Sequence, residues 1–522
     1  MSLIKTVATV GGWTLVYRIS GFIRDIIQAS VLGAGVFSDV FNLAFKFANI
    51  LRKLFAEGAF NASFLPIFSN ALKDKGKDEA VKIASQIFTW LVFALSFFMI
   101  ICLIFFRQII GGYAPGIDVS SEKFAHLVYI GRVCSPYIAA SFLAAMFGGI
   151  LNTLNRFAMP AAAQIILNLG LILSLFLGAL WFPSAAYTMA WGTFFGGIVQ
   201  VMVLWGNVKI CGFCVRFNLS SAAKEVRTFF KKLVSGAIGA GVWQLNVVIG
   251  FILLSYLPTG SVSYYYYTEH VNQLPIGILG IAFSTALLPP ITRAIHAKDD
   301  VSAKKQMNLG LLFALIFALP SAVILILLCD PITAAIYGRG NFGPEQVAAA
   351  APTLAAFALG LPVYMATKVF TTVFFANKDT RTPLIGGIIS IVSNLLFAFL
   401  LMPYMNHVGI ALAATLASWL NLIYLLFSMK KLGSIQITSE TKGAFLKQLM
   451  MSLFMIMTIY GLSEFYANEH FINGGMERNI ALVVVILLSV FVFYVSGKVF
   501  GAFKFLGDLK SLDKSATEAA AK

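Results

Sequence analysis

The chain has 522 residues, of which 59% are hydrophobic and only 11% charged, against roughly 25% charged in an ordinary soluble domain. With 48 Phe and a mean hydropathy of +0.86, it is not a soluble enzyme, a disordered chain or a secreted disulfide scaffold. A polytopic α-helical membrane protein remains, and the formal charge of +16 has to be read by position before it is read as a nucleic-acid signal.

A bilayer crossing takes about 20 apolar residues. Breaks in hydropathy predict fourteen spans, at 6–33, 37–70, 81–110, 124–153, 158–181, 186–208, 228–256, 261–292, 307–330, 347–376, 383–402, 408–429, 445–467 and 479–500. The first run is interrupted by Arg18 and Arg24 and has no small-residue cleavage site, so it does not read as a signal peptide. Basic residues crowd the even-numbered connections, such as Lys73 to Lys82, Lys209 to Lys232 and Arg293 to Lys305. The odd-numbered connections carry only Arg107, Lys123, Arg339 and Arg478. The positive-inside rule then puts both termini in the cytoplasm, and the net charge is a topology signal, not a nucleic-acid footprint. The five cysteines are scattered, and Cys211-Gly-Phe-Cys214, with no second such pair, reads as two loop cysteines and not as a metal or redox centre.

The chain echoes itself. Ala59-Phe-Asn-Ala-Ser-Phe-Leu-Pro66-Ile67 returns, 223 residues on, as Ala282-Phe-Ser-Thr-Ala-Leu-Leu-Pro289-Pro290. Pro160 and Pro383 share that offset, and Pro136 answers Pro362 with a drift of three. Six spans separate each pair, an even number, so the halves run parallel. The expected organisation is an N-terminal six-helix lobe over 1–220, a second over 221–435, two added helices within 436–505, and a flexible cytoplasmic tail over 506–522.

Seven basic residues fall inside spans: Arg18, Arg24, Lys46, Arg52, Lys53, Arg132 and Lys368. Each costs about 2.5–3.5 kcal/mol at a helix centre, so it must face a watery cavity or a partner. Five lie in the first two spans with Asp25, Asp39 and Glu57. Asp39, Asn42, Lys46, Asn49 and Lys53 are spaced by threes and fours, one stripe of a helix. Arg18 and Asp25 share a face, with Gly21 between them to permit a bend that would bring Arg24 to the same cavity. The second lobe answers with Glu269, His270, Asn272 and Gln273 before Pro275. Ion pairs such as Arg18–Asp25 or Lys53–Glu57 would lock helices. The excess of cations instead calls for an anionic guest, and the planar arginine fork suits phosphate. The apolar surround suggests a guest with a greasy portion. Arg132 is expected to snorkel at a span end, Lys368 to pair or touch substrate, and Tyr264 to Tyr267 to form an interfacial aromatic belt. No Walker motif, zinc-protease motif or nucleophile elbow occurs. This predicts a transporter, not an enzyme, without a cofactor and driven by the membrane potential, an ion gradient or the substrate gradient.

Arg18-Ile-Ser-Gly-Phe-Ile-Arg24-Asp25, Ser38-Asp39-Val-Phe-Asn42 and the stretch from Asn49 through Arg52, Glu57 and Asn61 to Pro66 resemble the MurJ (MviN) family of lipid II flippases. Gln273-Leu-Pro-Ile-Gly and Asn377-Lys-Asp-Thr-Arg381-Thr-Pro383 carry the resemblance through the second half. The resemblance implies the two-lobed fold of the multidrug/oligosaccharidyl-lipid/polysaccharide exporter superfamily, with a central cationic cavity. Helices thirteen and fourteen would form a groove for the undecaprenyl tail. It implies Arg18, Arg24 and Arg52 in handling the substrate and Asp39 as a functional acidic site; the charge pattern adds Lys46, Lys53 and Asn49 as substrate-binding, and Asp25, Glu57, Glu269 and His270 with Asp39 as ion-pair or gating residues. It further implies alternating access, lipid II and membrane lipids as partners, cell-wall synthesis proteins beside them, and a multi-pass place in the bacterial cytoplasmic membrane. Coupling to the membrane potential or to a Na+ or H+ gradient stays open, with Asn246 and Asn394 as polar candidates for a second-lobe ion. Many relatives carry an Asp/Arg pair where this chain has Glu269 and His270, and a histidine is charged only part of the time near pH 7. A flippase for another polyprenyl-linked glycan and an ion-coupled multidrug exporter are the alternatives, the latter disfavoured by the net positive first lobe.

Overall fold

The computed structural model describes residues 3–177, 182–220, 224–286, 288–433, 435–462 and 475–505, apart from the side chains at 3–10, 57, 238–240, 242–243, 278–286, 288, 431–432 and 476. The tail 506–522 and the side chain of Glu57 therefore lie outside the described residues. Within them the regular elements are helical. Nine helices among the described residues are long and apolar enough to cross a bilayer. The expected fourteen is not confirmed on that measure, because the charge-bearing first two spans and the expected seventh and eighth are not among the nine, and two expected spans merge into one element.

That merged element is α17 (Arg381–Ser428), which takes its place after α1 (Leu3–Leu32), α2 (Val36–Leu51), α3 (Phe60–Asp74), α4 (Lys77–Ile104), α5 (Phe106–Tyr113), α6 (Glu122–Cys134), α7 (Pro136–Thr153), α8 (Ala158–Leu177), α9 (Ala185–Ile210), α10 (Lys224–Leu254), α11 (Ser261–Ala286), α12 (Leu288–His296), α13 (Asp300–Leu327), α14 (Cys329–Tyr337), α15 (Pro344–Ala358) and α16 (Leu361–Ala376). As one rod of 48 residues it would be about 72 Å long, more than twice the hydrocarbon thickness. It is broken at Asn406, whose φ of 47° is left-handed, a conformation asparagine tolerates better than most residues. Gly409 follows, and a Cβ there would lie 2.7 Å from the Leu401 carbonyl, so the chain folds back closely on itself at this point. The two expected spans are thus two helices joined by a sharp break.

The repeat is visible in the element boundaries. Shifted by 223 residues, α4 falls on α13 end for end, both being 28 residues long. Thr153 closes α7 and Ala376 closes α16. Each is followed two residues later by a left-handed residue, Asn155 at φ 58° and Lys378 at φ 61°. Each end is sealed by the same backbone bond, Arg156 N–H to Leu151 O at 2.8 Å and Asp379 N–H to Phe374 O at 2.9 Å. Pro160 and Pro383 are the third residues of α8 and α17, within the first turn, where proline costs no hydrogen bond. Pro136 and Pro362 open the second segments of the broken spans α6–α7 and α15–α16. Four of the prolines that betrayed the repeat, Pro136, Pro160, Pro362 and Pro383, are therefore helix-starting residues, whereas Pro66 lies inside α3. Two more helices follow, α18 (Ser439–Gly461) and α19 (Gly475–Val499).

By internal contacts the chain forms two compact units, Met1–Tyr267 with Arg339–Gly343, and Thr268–Gly338 with Pro344–Lys522. The first is cored by an aromatic ladder on α3: Phe60, Phe64 and Phe68 are fully buried, and Phe229 of α10 meets the first two edge-on. Gly192 and Gly196 let α9 lie against Gly170 of α8, the small-residue contact typical of helices in lipid. In the second unit, Met307, Leu311, Ala314 and Ala318 of α13 pack with Val369, Phe370 and Val373 of α16.

One exposed tie closes the first unit's charged end: Lys75 Nζ donates to Glu225 at 2.9 Å. The hydrogen bond from Lys75 holds the Glu225 carboxyl below its usual range, and the bond to Glu225 lifts Lys75 above its own. Because the carboxyl's folded value is depressed, its contribution is present above the ordinary carboxylate range and lost as the pH falls through the depressed value. Glu225→Gln is expected to remove that small acid dependence from thermal melting curves and to leave the fold intact, as for exposed pairs generally.

Candidate functional site

The charged groups of the first unit sort into three places. The first is on α1. Arg24 is buried, and its Nε and Nη2 donate to Oδ1 of the adjacent Asp25 at 3.0 and 2.6 Å. Its Nη1 donates to Asn168 of α8 at 3.1 Å, its Nη2 to the Tyr266 hydroxyl at 3.4 Å, and its guanidinium stands 5.3 Å from the centre of the Phe45 ring. Tyr266 also offers its ring to Lys46 at 5.9 Å, and Phe251 offers another at 4.9 Å. Arg24, Asp25 and Lys46 are thus gathered around one tyrosine. The ion pair on Asp25 is made by Arg24 and not by Arg18, the pair weighed as a helix lock, and Arg18 Nε is buried with no hydrogen-bond partner among the described residues.

The α1 helix runs unbroken through Gly21, contrary to the expected bend. Gly21 instead makes room: a Cβ there would sit 3.4 Å from the Asn168 amide. That amide donates to Tyr17 O and Ser20 Oγ while its oxygen receives Arg24. Asn168 is therefore the part that aims Arg24, and the sequence reading missed it. Its signal was present, as Asn168 is one of two amides, with Gln164, in a span that is otherwise almost wholly apolar. Asn168→Leu, close in volume, is expected to weaken lipid II binding about tenfold without unfolding the chain, since one charge-assisted hydrogen bond is lost; binding measured with purified protein checks this.

The second place is the stripe on α2. Asp39, Asn42 and Lys46 are buried as spaced, and Asn49 is half-buried. Asn49 accepts from Arg52 Nε at 3.1 Å. There the stripe departs from the expectation: Arg52 is buried, and Lys53 is exposed. The reason is a change of helix type, since Arg52–Ala59 is π-helical and its i→i+5 bonds re-aim every side chain after Leu51. Arg52 opens onto a cavity of about 130 Å³ inside the unit, shared with the amides of Asn152, Gln164 and Gln200. It does not join the Arg24 group.

The third place is Asp39 itself. Its fully buried carboxylate accepts from the backbone N–H of Gly260 at 2.8 Å and of Ser263 at 3.0 Å, from Ser263 Oγ at 2.7 Å and from Lys123 Nζ at 3.2 Å. It is an N-cap supplied from another helix, and it places a negative charge at the positive end of α11. Around it Gln28 donates to Asn42, Asn42 to Ser263 Oγ, and Ser38 shares a hydrogen bond with Tyr267. The reciprocal cap comes from the loop Arg339–Gly343, where Asn341 donates from its backbone to Ser30 O at 2.8 Å and from its amide to Val31 O at 2.6 Å. These are carbonyls of the last turn of α1, which a helix cannot satisfy itself. Gly340 has φ of 59°, and a Cβ there would lie 2.3 Å from Ser30 O. Gly340→Ala is therefore expected to break this cap and cost about 1–2 kcal/mol from the left-handed strain alone, seen as a lower melting temperature.

Tyr265, Tyr266 and Tyr267 are buried within this machinery, so the expected aromatic belt is not formed by them. Lys123 was legible as one of four exceptions to the charge rule, and Asp39 explains its position. Arg132 is exposed, as snorkelling requires, and Lys368 is exposed too. In the second unit Glu269 and His270 are half-buried, and Gln273 Nε2 donates to Glu269 at 2.9 Å.

Residues 28–479 match the family described as lipid II flippase MurJ. The chain belongs to that family. A probable lipid II flippase MurJ from Rhizobium meliloti (strain 1021) is 36% identical over 431 residues, covering 81% of this chain and 80% of its own. A solved structure described as lipid II flippase MurJ in an inward closed conformation matches with a TM-score of 0.77 at 27% identity, over 93% of this chain and 98% of its own. An inward-facing multidrug resistance MATE transporter of the MOP superfamily matches with a TM-score of 0.66 at 16% identity, over 80% of this chain and 95% of its own. The last likeness is one of fold alone. Family membership and the nine apolar helices make the chain an integral membrane protein.

Proposed function

We propose that the chain flips lipid II from the inner to the outer leaflet by alternating access, as a transporter and not an enzyme. The observation that carries this is the buried group of Arg24 and Lys46 around Tyr266 in a member of the MurJ family. Arg24, once released from Asp25, presents its planar fork to a pyrophosphate oxygen, and Lys46, resting on Phe251 and Tyr266, supplies charge at that group. A cation-carrying exporter would need the opposite sign. The site does not bond-break; it stabilises an anion away from water while the lobes exchange access.

The positive-inside pattern supports a cytoplasmic (inner) membrane location with both termini inside, which puts Asp39 and its cap of α11 at the outer end. The shared 223-residue register supports lobes over 1–220 and 221–435, with 436–505 beside them for the undecaprenyl tail. No cofactor is required; the membrane potential, worth about 2.3 kcal/mol per charge per 100 mV, or a Na+ or H+ gradient drives the cycle. Cell-wall synthesis proteins receive the product. Sealed proteoliposomes loaded with lipid II test the reading. Accessibility of lipid II to an outside reagent should rise with the protein present and respond to an imposed potential or gradient. No movement under any gradient, with another polyprenyl-linked glycan moved instead, would replace the substrate.

A further inference from the structure

A second basic site lies in the second unit, away from the Arg24 group. A cavity of about 700 Å³ is walled by the start of α13, the first turns of α18 and the segment after α19. Lys304, Lys305, Lys447 and Lys504 line it, and none of the four ammonium groups has a hydrogen bond, ion pair or ring contact among the described residues. Glu440 is the single carboxylate of the lining, and it is not within ion-pair distance of any of them. Among the described residues of the lining, four lysines against one carboxylate leave a net charge of about three.

The walls are built, not loose. Asn308 donates to Lys304 O and Gln436 O and accepts from the Thr438 N–H, tying α13 to the start of α18. Thr438 in turn caps α18 at Thr441. After α19 the chain turns at Gly501, with φ of 63°, and Ala502 N–H closes back on Gly497 O. Phe503 folds onto Gly497, where a Cβ would meet its ring at 2.3 Å, and this brings Lys504 round to the cavity. The floor is apolar, made by Leu309, Leu312 and the buried Phe505. From Lys304 to Leu312 the wall runs about 12 Å along α13, from the lysines to the apolar floor.

We infer that this cavity is a binding site for the phosphate headgroup of a membrane lipid, with the lysines on the phosphate and the first carbons of its chain on Leu309, Leu312 and Phe505. A soluble phosphate would not need the apolar floor, and basic pockets between membrane helices take anionic headgroups for this reason. The inference rests on the membrane reading but not on lipid II transport. Two lipids carry this chemistry, a bulk phosphodiester lipid and the polyprenyl pyrophosphate of the transported substrate.

The test uses the full chain in phosphatidylcholine nanodiscs and two radiolabelled probes, phosphatidylglycerol and lipid II. The variant is Lys304→Gln, Lys305→Gln, Lys447→Gln and Lys504→Gln together. The control removes the same charge from exposed lysines elsewhere: Lys73→Gln, Lys224→Gln, Lys231→Gln and Lys232→Gln. Retention of phosphatidylglycerol is expected to fall at least tenfold in the variant and less than twofold in the control, with lipid II retention kept, which identifies the bulk lipid as the source. Loss of lipid II with phosphatidylglycerol kept supports the site and identifies the substrate as its source. Equal loss in variant and control, or no loss of either probe in the variant, overturns the inference. Because phosphatidylglycerol retention does not depend on transport, a protein that binds it and flips nothing separates this inference from the proposed function.

Discussion

Arg24→Ala is expected to reduce lipid II translocation at least about thirtyfold, since truncating a desolvated, hydrogen-bonded charge costs about 2–5 kcal/mol of binding and 1.4 kcal/mol is a factor of ten. The same change leaves Asp25, 1% exposed, without the guanidinium that holds it at 2.6 Å. Breaking a buried pair from one side costs about 3–5 kcal/mol of stability, so the single variant confounds transport with folding. The double variant Arg24→Ala with Asp25→Asn separates them. It removes the orphaned charge and is expected to restore most of the melting temperature while transport stays lost. Arg24→Lys keeps the charge but not the fork, so it should retain the fold and transport at an intermediate rate. If the double variant translocates lipid II at the wild-type rate, the pair is structural and the anion-binding role of Arg24 fails.

This experiment depends on a partner the sequence could not name. The stripe from Asp39 to Asn49 was legible because an α-helix keeps its period, and it placed Asn42 and Lys46 correctly. It misplaced Lys53 because no residue pattern announces a switch to i→i+5 bonding, and the switch begins at Arg52. Arg24 was read as needing a bend to reach the cavity. An adjacent ion pair on a continuous helix, with Asn168 received at Gly21, achieves its burial instead. The aromatic run at Tyr264 looked like an interface belt because aromatics favour that depth, but the preference is overridden when a helix start is buried and capped. The cap comes from 221 residues away, a distance at which hydropathy and periodicity are silent. What did carry over distance was the repeat. Proline at a helix start and a left-handed residue at a helix end are local requirements, and a parallel repeat must meet them twice at the same spacing. The strongest clues were exceptions: a proline inside an apolar run, the amides in apolar α8, and one lysine on the side of the membrane where lysines are scarce.

That lysine leads to the second large effect. Asp39→Asn is expected to release the N-terminus of α11, with the amides of Gly260 and Ser263 exchanging with deuterium roughly 10- to 100-fold faster than in wild type. The carboxylate receives both N–H groups, the Ser263 hydroxyl and Lys123, all from a position with no exposed surface. Hydrogen bonds to a charged group contribute about 1.5–3 kcal/mol, and the asparagine amide has one acceptor oxygen where the carboxylate has two. The exchange factor is that energy read at 1.4 kcal/mol per decade. On the proposed cycle, opening at this end parts α2 from α11, and the strength of these bonds then sets how often it does so. The variant should accumulate the state open at this end and translocate more slowly, while Lys123→Gln, which removes one partner and leaves the backbone cap, should shift exchange and transport in the same direction by less. Unchanged exchange at Gly260 and Ser263 in Asp39→Asn would show that the cap is not what holds α11 to α2. If exchange rises and transport does not change, the cap holds the fold and has no part in the gate.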